Sequence, residues 1–116
     1  MKHARLIHRG METRIALEVA DGSIERMRGL LGRSRLDADR ALWLEPCNAV
    51  HTFGMRFPID VVFIDKGGRV LAVHRNVSRA RVLVCWRARS VLEMRAHAAQ
   101  AWCVDVRDSL EWRASS

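Results

Sequence analysis

The sequence predicts a mainly β (α+β) fold: a compact antiparallel sheet, barrel-like or rolled, with one short early helix and a second short helix near residues 97–103. Three observations carry that expectation. Short apolar runs recur along the chain, turn residues interrupt them at close intervals, and only two stretches lack strand character.

The first strands are read at residues 4–9 and 13–19, where Ile15, Leu17 and Val19 alternate with Arg14, Ala16 and Glu18. Asp21-Gly22-Ser23 breaks the alternation. Ser23 suits a helix N-cap and Glu25 suits the first turn. Ile24, Met27, Leu30 and Leu31 then follow at near-helical spacing, which predicts a helix over 24–31 closed by Gly32. Leu42-Trp43-Leu44 is a compact strand ended by Pro46, and residues 49–53 form another before Gly54. Pro58 has no N–H to give a ladder, so the next strand starts at Ile59. Ile59 to Ile64 and Arg69 to His74 read as a hairpin across Asp65-Lys66-Gly67-Gly68. Strands over 81–86 and 90–95, an Ala-rich helix over 97–103 and a closing strand at Leu110-Glu111-Trp112 complete the chain.

The 116 residues suit a single domain, 1–116, with enough surface to bury a core. No run approaches the roughly 20 apolar residues of a membrane span, and the basic N-terminus has no apolar stretch behind it. The expected compartment is the cytoplasm, and the expected state a monomer or weak oligomer. Cys47, Cys85 and Cys103 are odd in number and far apart, which argues for free thiols. The net charge is +7, with 18 Arg, 2 Lys and no Tyr. Such a balance permits attraction to nucleic acid, anionic lipid or an acidic protein.

Chemistry concentrates between Pro46 and Asp60, where Cys47, Asn48, His51, Thr52, Arg56 and Asp60 lie beside apolar strands. Buried polar groups must be paired or wet. Strand periodicity places Ala49, His51 and Phe53 on one face, and Asp60 with Val62 and Ile64. An unpaired Asp60 there is costly, so it should find Arg56, His51 or backbone donors. Three readings stand open. The cluster is a structural network; or it is a groove for a small polar ligand or a peptide end; or Cys47, His51 and Asp60 are nucleophile, base and orienting acid of a small Cys/His-dependent enzyme. In the groove reading His51 and Asp60 set the polarity, Arg56 takes an anionic group, and Trp43 and Phe53 supply walls. Cys47, His51, Cys85, His97 and Cys103 show no recognised zinc spacing, and no cofactor motif is visible. Arg79, Arg81, Arg87 and Arg89, interleaved with Trp86, offer a nucleic-acid alternative through charge and stacking, against the plainer reading of a solvated face.

Arg26-Met27-Arg28-Gly29-Leu30-Leu31-Gly32-Arg33, the block from Leu42 to Asp65 with Pro46-Cys47-Asn48-Ala49-Val50-His51-Thr52-Phe53-Gly54-Met55-Arg56-Phe57-Pro58-Ile59-Asp60 at its centre, and Val91-Leu92-Glu93-Met94 together resemble the family called domain of unknown function 192. The resemblance covers about residues 13–112. It implies a compact, mostly antiparallel β fold with an early helix, and a groove without an assigned reaction. It also implies a protein partner, with pilus assembly as the association. The family usually has Ala-Gly and Gly-Asp where this chain has Ala96-His97 and Arg107-Asp108, positions where glycine commonly supplies a positive φ.

Overall fold

The computed structural model describes residues 1–115. Nine strands and two short helices follow one another as β1 (Lys2–His8), β2 (Met11–Ala20), α1 (Ser23–Arg28), β3 (Arg40–Leu44), β4 (Ala49–His51), β5 (Ile59–Ile64), β6 (Val70–Val77), β7 (Val82–Val84), β8 (Ser90–Arg95), α2 (Ala98–Ala101) and β9 (Leu110–Ala114). The fold is thus mainly β with two short helices.

Seven strands form one sheet in the order β6-β5-β8-β3-β2-β1-β9, and β4 pairs with β7 in a separate two-stranded ladder. All pairs in the large sheet are antiparallel except β2 with β3, which run parallel. The cause is the connection: residues 21–39, including α1, cross over the sheet, and parallel neighbours need such a crossover. The rolled sheet is not closed into a barrel. Its edge strands approach at one corner, where Arg69 bridges Ser109, Leu110 N–H donates to Gly68 C=O at 2.8 Å, and Val70 N–H donates to Asp108 C=O at 2.9 Å. Gly68 takes φ +87 there, and a Cβ on it would lie 3.0 Å from the Leu110 carbonyl oxygen.

The sheet buries apolar side chains on both faces. The inner face gathers Leu6, Leu17, Trp43, Val62, Ile64, Leu92 and Met94, and α2 packs there through Ala98 and Ala99. The outer face gathers Leu42, Leu44, Ile59, Val61, Phe63 and Val91, covered by Leu30, Leu36, Met55 and Leu83 from the loops and β7. This explains why β5 and β8 are apolar on both faces apart from Asp60, Ser90, Glu93 and the terminal Arg95: every residue of β5 is buried, and every residue of β8 but Arg95.

The early helix departs from its expected form. It ends at Arg28, with Gly29 at φ +49, and Gly22 occupies the N-cap. Gly22 N–H donates to Glu25 Oε1 at 3.2 Å, so Glu25 closes the first turn. Leu30 is buried beyond the helix, while Ile24 and Met27 stay exposed at 78% each, so the apolar stripe does not pack as one face. β4 stops at His51 because Thr52 turns inward. β7 is shorter than expected and joins β4 instead of the main sheet. At the N-cap of α2 and in the turn before β9 the chain takes positive φ without glycine, at His97 (+74) and Arg107 (+78). Among the described residues no helix is long and apolar enough to cross a membrane.

Candidate functional site

The residues between Pro46 and Asp60 divide across the sheet. β5 alternation sends Asp60 to the inner face beside Met94, its partner on β8. It is fully buried, and its carboxylate accepts three backbone N–H groups. Oδ1 takes Asn76 at 2.8 Å and His97 at 3.1 Å, and Oδ2 takes Ala99 at 2.8 Å. Asp60 therefore ties β6 to the start of α2, as the backbone-donor alternative requires, and lies in no groove with His51. Thr52 is likewise a tie: its hydroxyl donates to Ser78 C=O at 2.8 Å and accepts from Arg81 N–H at 2.8 Å.

Trp43 also belongs to the inner core. Its indole N–H donates to Glu45 Oε1 at 2.6 Å, and Trp112 donates to the same oxygen at 3.1 Å. It is no wall for Cys47. Asn48 supports β7 by accepting from Cys85 N–H at 2.9 Å. Phe53 is half exposed with its ring 6.1 Å from that of His51, and Arg56 points to solvent.

What remains on the outer face is a cavity of about 340 Å³ between the α1 segment and β4. Cys47 and His51 line it, with Leu31, Leu44, Val50 and Met55 as apolar walls and Arg26 and Arg28 at the α1 side. Glu93 of β8 also lines it, a residue absent from the sequence-based site. Glu93 lies in the middle of the sheet between Leu42 of β3 and Val61 of β5. The residue is buried, and its carboxyl oxygens, which take no hydrogen bond from the protein among the described residues, are not sealed off but open onto the cavity. Gly29 lies beside it at φ +49, and a Cβ there would meet Glu93 Oε1 at 3.6 Å, an ordinary contact, so the backbone angle and not the space is what favours glycine. Burial pushes the Glu93 carboxyl up to about 7, against a smaller opposite pull from Arg33. The sequence held one signal of this: a lone acid inside Val91-Leu92-Glu93-Met94, an otherwise apolar strand.

Cys47 is not set up as a nucleophile. Burial pushes its thiol pKa up, and its Sγ–H donates to Ala49 C=O at 3.2 Å. A protonated thiol is a poor attacking group, and Asp60 is across the sheet from it. The Cys47–His51–Asp60 arrangement is therefore not assembled. The remaining candidate metal ligands also scatter: His97 and Cys103 flank α2, and Cys85 follows β7. No group of three potential ligands converges among the described residues. Arg79, Arg81, Arg87 and Arg89 are all exposed along and around β7.

Fold and cavity together define a small, mainly β protein with a ligand-sized hollow on one face of a rolled sheet. The chain belongs to the DUF192 family, described as uncharacterized ACR, whose model matches residues 5–112. Two solved structures share the fold. One is from Sinorhizobium meliloti 1021, described as a "putative transcription regulator", with 22% identity, TM-score 0.82 and coverage of 96% of this chain and 92% of that one. The other is a protein of unknown function from Novosphingobium aromaticivorans DSM 12444, with 19% identity, TM-score 0.80 and coverage of 95% and 84%. No curated protein matches the chain.

Proposed function

We propose that the protein is a binding module for a small zwitterionic ligand held in the cavity over Glu93. The observation that carries this is a carboxyl set in the middle of the sheet, without a protein partner among the described residues, whose oxygens open into a ligand-sized hollow. A carboxyl drawn this far out of bulk solvent costs stability, and a fold tolerates it where water or a ligand in the cavity supplies the donor. A cationic or N–H head at Glu93 supplies it. Leu31, Leu44, Val50 and Met55 then receive an apolar body, and Arg26 or Arg28 an anionic end. The anion-binding role expected of Arg56 thus passes to the arginines of α1. Sites of this kind need a mostly apolar lining and a few convergent polar groups, and cavities of about 300 Å³ and more serve them.

The test uses isoamylamine, isovalerate and L-leucine as probes of head, tail and both. Methyl resonances of Leu31, Leu44 and Met55 should shift with isoamylamine at pH 8 and shift at lower concentration with L-leucine. Glu93→Gln should abolish the amine response. Equal responses in wild type and Glu93→Gln, or a preference for isovalerate, would refute the reading.

A further inference from the structure

We propose that β7 and the turn after it dock the protein on an anionic lipid surface, because an exposed apolar strip there is flanked on both sides by unpaired arginines. On β7, Val82 lies opposite His51 and Val84 opposite Ala49, so these residues share the outward face while Leu83 goes into the core. Val82 is 60% exposed, Val84 46% and Trp86, in the following turn, 84%. Phe53, beside His51, adds a half-exposed ring to the same face.

Charge identifies the occupant. Residues 78–90 contain Arg79, Arg81, Arg87 and Arg89 and no carboxylate. All four arginines are exposed, and none joins an ion pair among the described residues. A basic collar around a protruding apolar tip matches an anionic interface: guanidinium groups meet the headgroups, and Trp and Val enter the headgroup–acyl boundary. Nucleic acid fits less well: Trp86 and Phe53 offer rings for stacking, but Val82 and Val84 between the arginines add aliphatic surface that a base stack does not use and an acyl boundary does. Among the described residues β7 pairs with β4 alone, and the exposure of Val82, Val84 and Trp86 shows that no other part of the fold covers the strip.

The experiment is co-sedimentation with large vesicles at low salt. Phosphatidylcholine containing one-quarter phosphatidylglycerol should pull the protein down, and pure phosphatidylcholine should not. Trp86 emission should shift to the blue on binding. Replacing any one of Arg79, Arg81, Arg87 or Arg89 by Gln should lower partitioning roughly fivefold. Trp86→Ser should lower it on the order of tenfold while leaving the thermal midpoint unchanged. Arg14→Gln, an exposed charge on β2, should have little effect and separates the collar from net charge alone. Failure to sediment with the mixed vesicles overturns the proposal. So does an Arg14 effect equal to the collar's, or tight binding of a single-stranded oligonucleotide without vesicle binding.

Discussion

Two acids on neighbouring strands show how burial alone does not decide what a carboxylate does. Asp60 and Glu93 are both buried residues, but Asp60 has three backbone donors, whereas Glu93 has none among the described residues and opens onto the cavity. Removing Asp60 orphans three N–H groups, each worth about 1–3 kcal/mol when left unpaired in the interior. Asp60→Ala should therefore destabilise by roughly 3 kcal/mol or more, read by chemical denaturation, and a loss below 1 kcal/mol would show that water replaces the carboxylate. Glu93 works in the opposite sense. Its folded pKa is raised, so its full contribution holds below the ordinary value of 4.5, and stability falls as pH rises through about 7. That shift corresponds to roughly 3 kcal/mol. Glu93→Gln should match wild type near pH 4.5 and exceed it in stability above pH 7, as denaturation midpoints across that range will report. Parallel curves would mean that Glu93 is solvated in the folded state.

At the scale of elements, the sequence carried the strands well because alternation (in β2), short apolar runs (in β5 and β8) and turn residues are all local signals. β2, β5, β8 and the β5–β6 hairpin lie within a few residues of expectation. α1 was less legible. Its spacing suggested one apolar stripe, but Gly29 at positive φ ends the helix, and only Leu30 and, in part, Leu31 beyond it reach the core among the described residues, a tertiary choice that periodicity does not encode. The parallel β2–β3 pair and the β4–β7 ladder are long-range pairings, and nothing in the strands themselves announces them. The missing glycines are a different case. Their absence marked positions 97 and 107 as unusual, and both adopt positive φ with a side chain present. A non-glycine residue in the left-handed region costs roughly 1–2 kcal/mol, more than the roughly 0.5–1 kcal/mol of extra chain entropy that glycine loses on folding. Arg107→Gly should raise stability by several tenths of a kcal/mol to about 1, measured by thermal unfolding. A clear loss would show that the Arg107 side chain has a role of its own.

Across the whole molecule, the sheet is the divider that separates structure from candidate function. The inner face holds Asp60 and Trp43 as internal ties, and the outer face holds Cys47, His51 and Glu93 around one cavity. Sequence proximity had grouped Asp60 with His51, yet the two strands present them to opposite sides. Glu93 came to the cavity from more than forty positions further on, through pairing of β8 with β3 and β5. That placement is the central claim, and the titration of the Glu93 carboxyl by carbon-detected NMR tests it most directly. Alone, the group should titrate near pH 7, and saturating isoamylamine should move its midpoint down by a unit or more. An ordinary midpoint near 4.5 without the amine, or a midpoint indifferent to it, would contradict the account.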